Sequence, residues 1–175
     1  MPNVLIPLAQ GCEELEAVTV IDLLRRAEIN VTTAGLDKQP VTASRRTVLI
    51  PDTDLDTSLK EDYDMVVLPG GLPGADHLEN DERIKDILIN MANSEKFTAA
   101  ICAAPKVLAK AGLLEDIPAT AYPGVLENST GEAVVTSGRI ITSRGPGTAM
   151  DFALTLIEQL VGKNKRDEVE KGLVR

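Results

Sequence analysis

The sequence predicts an α/β domain in which a mostly parallel sheet is covered by helices on both faces. Three observations carry that expectation. Short β-rich apolar runs alternate with segments of helical period along the chain. The first 34 residues already read as a complete strand, helix, strand unit. The chain has 175 residues, 43% of them apolar, with no repetitive or strongly polar stretch, and a chain of that size buries roughly 70% of its unfolded surface, enough for one domain with a real core.

Taken in order, Asn3 to Ala9 reads as the first strand. Glu13 to Ala27 follows as a helix, with Val18, Ile21 and Leu24 at helical spacing, acidic residues in its first turn and Arg25-Arg26 in its last, matching the helix dipole. Ile29 to Ala34 is the second strand. Between Val41 and Leu55, short β runs broken by Pro40 and Pro51 predict a strand or hairpin on the sheet's edge. Met65 to Leu68 is an apolar strand that ends in Pro69-Gly70-Gly71. After a turn, Asp81 to Asn93 places Ile84, Ile87 and Leu88 on one helical face, and Phe97 to Ile101 is the next strand. Ala103 to Lys110 is helical, and Ala121-Tyr122-Pro123-Gly124 lies in a later loop. Ala133 to Thr136 and Arg139 to Thr142 form a hairpin through Ser137-Gly138. Thr148 to Leu160 is an apolar helix, and Asn164 to Leu173 a charged one.

Composition excludes several classes of function. The chain has no Trp and four other aromatics, Tyr63, Phe97, Tyr122 and Phe152, with a formal net charge of −9. Nucleic-acid binding draws on clustered cations and exposed aromatics, so nucleic acid is not an expected partner. No run approaches the ~20 apolar residues of a membrane span, and the first residues lack a secretory pattern, which points to a cytoplasmic protein with no membrane partner. Cys12 and Cys102 have no metal-ligand spacing and are too few for a disulfide framework, so each reads as a free thiol.

Ligands of open α/β sheets gather beyond the carboxyl ends of the strands, which singles out Gly11 to Glu16, Pro69 to Gly74 and Ile101 to Pro105. Ala100-Ile101-Cys102-Ala103-Ala104 is a small-x-nucleophile-x-small pattern between a strand and a helical segment, like a hydrolase nucleophile elbow with Cys for Ser. A thiol at a helix N-terminus is stabilised as the thiolate, with a pKa lowered from about 8.5 to between roughly 3.5 and 7.5. A buried structural cysteine is the alternative. Gly70 and Gly71 let backbone N–H groups approach a developing oxyanion, although two glycines after a strand also make an ordinary turn. Glu13 and Glu16 share a helical face, so one of them can meet the thiol as a protonated carboxyl and act as general acid or base; a plain acidic helix start is the alternative.

Together these motifs resemble the ThiJ/PfpI superfamily, more narrowly its Parkinsonism-associated deglycase branch and close bacterial relatives. Gly11-Cys12-Glu13-Glu14-Leu15-Glu16 resembles the family's glutamate motif, Leu68-Pro69-Gly70-Gly71 its oxyanion loop, and Ala99-Ala100-Ile101-Cys102-Ala103-Ala104-Pro105 its elbow. Thr142-Ser143-Arg144-Gly145-Pro146-Gly147-Thr148 resembles its last signature, and the likeness runs from Val4 to about Gly162. The resemblance implies a flavodoxin-like three-layer sandwich of the class I glutamine amidotransferase kind, one domain over residues 1–175, and a homodimer. It implies Cys102 as nucleophile, Glu16 as the protonated carboxyl, and Gly70, Gly71 and Ala103 as donors of N–H groups. Arg45 matches an arginine that family dimers bring near the partner's site, and Arg144 would help form a rim for anions, with Glu13 and Ser143 in support.

The chain departs from the family pattern in places. Tyr122-Pro123 stands where many members have His-Pro. The position after the nucleophile is Ala103, where the peptidase-like branch has His, which counts against a Cys-His peptidase. The sole histidine, His77, reads as a surface residue. Cys12 occupies a position that is often Ala; it reads as a plain thiol, with a resolving disulfide to Cys102 as the alternative. The expected function is a cofactor-independent, metal-free enzyme acting on small α-oxoaldehydes or their adducts, of glyoxalase III or deglycase type and protective under carbonyl and oxidative stress. The alternative is a redox sensor or stress chaperone working through oxidation of Cys102.

Overall fold

The computed structural model describes residues 1–175. Its central sheet runs in the order β5 (Thr53–Asp54), β2 (Asn30–Gly35), β1 (Asn3–Leu8), β6 (Met65–Leu68), β7 (Phe97–Ile101), β9 (Ile140–Ser143), β8 (Val134–Ser137). Every neighbouring pair is parallel except β8 with β9. This is the predicted flavodoxin-like architecture. The pleat sends alternate residues to two cores. Val4, Ile6 and Leu8 of β1, Met65 and Val67 of β6, and Phe97, Ala99 and Ile101 of β7 pack in one core, with Ala17, Val20 and Leu24 of α1 (Glu14–Arg26), Phe152, Leu156 and Ile157 of α6 (Ala149–Val161), and Val169 of α7 (Lys163–Leu173). Leu5, Val66, Leu68 and Ala100 face the other way. There they meet Leu55 of α2 (Leu55–Ser58), Leu78 of α3 (Gly74–Glu79), Ile84 and Leu88 of α4 (Glu82–Asn93), and Val107 and Leu108 of α5 (Pro105–Lys110). No helix is long and apolar enough to cross a membrane.

The structure differs from the sequence expectations at several joints. The expected edge element between Val41 and Leu55 divides: β3 (Val41–Thr42) and β4 (Val48–Leu49) form a separate antiparallel hairpin, while only β5 joins the sheet. The short helix α3 arises where a turn was expected. Pro105 occupies the first turn of α5, so residues 102–104 are a non-helical turn rather than the start of a long helix. The first helix begins at Glu14 because Glu13 caps it, its side chain accepting from the Glu16 N–H at 3.1 Å.

Candidate functional site

Parallel pairing puts the ends of β1, β6, β7 and β9 side by side, which brings the loops 9–13, 69–74, 102–104 and 144–148 together. Cys102 follows β7 with φ of 65°, in the left-handed region that costs a non-glycine residue about 1–3 kcal/mol. Two hydrogen bonds hold it there. Its N–H donates to the Ser143 carbonyl at 3.0 Å, and its carbonyl accepts from the Tyr122 N–H at 2.8 Å. The result is a sharp elbow at which Cys102 is 7% exposed.

Glu16 is the carboxyl that meets the thiol. It projects from the first turn of α1 and is 0% exposed. Its Oε1 accepts from the Gly70 N–H at 3.0 Å, and the carboxyl hydrogen-bonds with Cys102. The Oε2 atom is buried and has no hydrogen-bond partner. Burial raises the Glu16 pKa from 4.5 to about 7, against the lowering effect of its hydrogen bonds to Cys102 and Gly70. With Glu16 ionised, burial and that carboxylate push the Cys102 thiol up to about 12, opposed by the Gly71 and Ala103 N–H groups at the sulfur. The expected low thiolate pKa from a helix N-terminus is therefore not what this turn supplies; α5 starts three residues later and is six residues long. Glu16 thus ionises well before the thiol, and above about pH 7 the pair keeps one proton, on the sulfur. Once the proton sits on Glu16, its charge no longer opposes the thiolate and the two N–H donors remain.

The glycines divide their roles. The Gly70 N–H, expected at an oxyanion, is bonded to Glu16 instead, and the donors facing the sulfur are Gly71 and Ala103. Gly70 must also lack a side chain: a Cβ there would stand 2.7 Å from Cys102 Cβ, Glu16 Oε1 and the Ile101 carbonyl. Gly71 has φ of 87°, and a Cβ on it would meet the Glu13 backbone N at 2.5 Å. The oxyanion loop is thus packed on the loop that starts α1, joined by the Glu13 N–H donating to the Gly70 carbonyl at 2.9 Å.

The remaining sequence candidates fall into place as follows. Glu13 caps α1 and does not reach the thiol as an acid. Ser143 is committed to structure, its hydroxyl donating to the Ala133 carbonyl at 2.8 Å and pairing with Thr148 Oγ1. Arg144 is exposed and donates to the Gly131 carbonyl at 2.9 Å, so part of its guanidinium is spent on the neighbouring loop. Arg45 is exposed at the tip between β3 and β4 and forms no ion pair within the chain. Tyr122 is half-exposed beside the elbow. His77 is exposed on α3, as read from the sequence. Cys12 is buried and free, its thiol pushed up to about 12 by burial and by Glu14 and Glu13. No group of three His, Cys, Asp or Glu side chains is placed to hold a metal ion. A surface cavity of about 510 Å³, lined by residues including Met1, Pro2, Asp64 and Arg139, lies at the opposite ends of the strands.

Two contributors escaped the sequence reading. Glu14 accepts from the Ser44 hydroxyl and from the Arg45 and Thr47 N–H groups, at 2.9–3.2 Å. Partial desolvation would raise its pKa, but N–H donors from its own backbone, Thr47 and Arg45 outweigh this and lower it to about 2. It therefore fastens the β3–β4 tip to the start of α1. Lys106 of α5 pairs with Asp76 of α3, joining the helices that follow the elbow and the oxyanion loop. Neither partner has a spacing signal, because each reaches an element distant in sequence.

Comparison with known proteins agrees with the fold. The description of the DJ-1/PfpI family matches residues 2–159. Drosophila melanogaster Protein dj-1beta is 43% identical over 98% of this chain and 96% of its own length. The crystal structure of Drosophila melanogaster DJ-1beta superposes with a TM-score of 0.94 at 42% identity, covering 99% of this chain and 97% of that one. The Caenorhabditis elegans protein named Glutathione-independent glyoxalase DJR-1.2 is 32% identical over 97% of this chain and 94% of its own. Against the longer Arabidopsis thaliana Protein DJ-1 homolog B, 41% identical, the chain spans 41% of the relative's length.

Proposed function

The chain belongs to the DJ-1/PfpI family, and from that premise we propose that it is a cofactor-independent glyoxalase that converts small α-oxoaldehydes to hydroxy acids through Cys102. The observation that carries this reading is the fully buried Glu16 carboxyl, its pKa raised to about 7, hydrogen-bonded to a strained-elbow thiol. A relative named as a glutathione-independent glyoxalase supports it.

The steps follow from the chemistry of the pair. Glu16 takes the thiol proton as sulfur attacks the aldehyde carbon; an S–C bond forms, the C=O π bond breaks, and Gly71 and Ala103 N–H groups receive the oxyanion. Glu16 returns the proton to that oxygen, giving a hemithioacetal. The carboxylate then removes the carbon-bound proton from the former aldehyde carbon, and the enediol formed takes a proton at the neighbouring carbon. One carbon is oxidised and its neighbour reduced, so no external oxidant or reductant enters. Water cleaves the resulting thioester, releasing the hydroxy acid and restoring the thiol.

Methylglyoxal given to the purified protein, with no added thiol or metal, yields lactate, with kcat/KM rising through about pH 7 as Glu16 ionises. Absence of lactate at every pH refutes the reading. The alternative, a redox sensor, is favoured by the unpartnered Glu16 Oε2 of the carboxyl that hydrogen-bonds with Cys102, which as a protonated carboxyl would hold a sulfinate oxygen. Selective addition of two oxygens to Cys102 by mild peroxide, in protein that makes no lactate, would select it.

We further propose a homodimer. Leu15 and Val18 share the exposed face of α1, and Val48 and Ile50 are exposed at the adjoining hairpin that Glu14 ties to that helix. This patch also carries Arg45. Sedimentation equilibrium is expected to give twice the 18.7 kDa chain mass; a monomer at micromolar concentration rules the dimer out.

A further inference from the structure

We propose that the Tyr122 ring is the wall that selects what a compound reacting at Cys102 carries behind its reactive carbon, favouring neutral aryl or apolar tails over anionic ones. The inference rests on Cys102 as the reacting group, as in the reading above, and adds a substrate preference to it.

Of the chain's four aromatic side chains, Tyr63, Phe97 and Phe152 are buried, at 5%, 7% and 0% exposure. Tyr122 alone is out in solvent, at 51%. An exposed ring does nothing for the core, and this one belongs to a residue whose backbone is bonded to that of the reacting cysteine. Its own N–H donates to the Cys102 carbonyl, and its carbonyl accepts from the Val125 N–H at 3.0 Å. Two residues earlier, the Thr120 N–H donates to Thr142 Oγ1 at 2.9 Å, and the Ala121 N–H donates to the Ser129 hydroxyl at 3.1 Å. The backbone beneath the ring is therefore fixed on both sides. The ring itself lies against the segment after β9: a Cβ on Gly145 would stand 3.6 Å from Tyr122 Cδ2. A fixed aromatic face presents contact area at small entropic cost.

Across the sulfur, the Gly71 N–H reaches Cys102 and the next residue, Leu72, is 60% exposed. The two loops bonded to Cys102 thus each carry one large apolar side chain that is exposed to solvent. Charge disfavours the other kind of tail. The chain carries a net −9, and Glu16 hydrogen-bonds with Cys102.

The test uses three alkylating agents with one reactive centre and different tails: iodoacetamide, 2-iodo-N-phenylacetamide and iodoacetate. Rates at Cys102 are followed by peptide mass spectrometry, with buried Cys12 as the internal reference. The aryl reagent is expected to react fastest and iodoacetate slowest. Tyr122→Ala is expected to lose about three- to tenfold of the aryl-over-iodoacetamide ratio, the worth of one aromatic contact. Tyr122→Phe is expected to keep it, since the ring face carries the selection. An unchanged ratio in Tyr122→Ala, or a wild-type protein that prefers iodoacetate, overturns the proposal. These rates do not depend on turnover. A protein that makes no lactate but shows the Tyr122-dependent ratio loses the glyoxalase reading and keeps the wall, and the converse result does the opposite.

Discussion

Cys102→Ala is expected to lower lactate formation from methylglyoxal by at least about 10³-fold while leaving the fold intact, because every covalent step runs through that sulfur. The second thiol gives no rescue. Cys12 is 1% exposed, and burial and its acidic neighbours hold its proton in place at a pKa of about 12, so it offers neither access nor thiolate. Alanine keeps the two backbone bonds that define the elbow, to Ser143 and Tyr122. It also occupies the left-handed position at about the same backbone cost as cysteine, and the change removes one buried sulfur, so stability is expected to move by about 1 kcal/mol or less. Lactate assays paired with urea unfolding separate the two effects. Turnover retained within tenfold would mean that Cys102 is not the nucleophile, whereas lost turnover in a destabilised protein would leave only a packing role.

The sheet and its order of loops were legible because buried parallel strands write themselves as short apolar runs, and because βαβ connections leave few ways to arrange them. The elbow was legible for a related reason: small residues on either side of Cys102 are what a sharp turn tolerates. The division between Glu13 and Glu16 was not, since helical spacing puts both on one face; only the cap bond from Glu13 to the Glu16 N–H decides that Glu16 is the one turned inward. The Gly70 N–H was read as an oxyanion donor for want of its partner, 54 residues away. Spacing also could not show that Pro105 would delay α5, and with it remove the helix terminus that a low thiolate pKa had been expected to draw on. What takes the proton from this thiol in the proposed reaction is instead a buried carboxylate that ionises at lower pH than the thiol does, a property of two residues 86 positions apart in the chain.

That transfer makes Glu16→Gln the most informative single change, because it alters rate and stability in opposite directions. As general acid and base, Glu16 is worth about 10²–10⁴-fold in kcat/KM, and the rise in rate through about pH 7 is expected to disappear with it. Stability follows from linkage. The folded pKa of about 7 lies above the value of 4.5 taken for the unfolded chain. Below pH 4.5 both states hold the proton and nothing is lost. Between the two values the unfolded chain ionises first, so the native state loses stability as pH rises, and above 7 the full cost of a buried carboxylate is present. At 1.36 kcal/mol per pH unit the cost approaches about 3 kcal/mol. Glutamine keeps an oxygen for the Gly70 N–H and carries no charge. The variant is therefore expected to be more stable than the parent at pH 8, by up to about 3 kcal/mol, with the difference closing near pH 4. Urea midpoints at the two pH values measure this directly. A variant less stable than the parent at pH 8 would show that the ionised carboxylate is satisfied in the folded protein, and the proton-transfer account of Cys102 would fall with it.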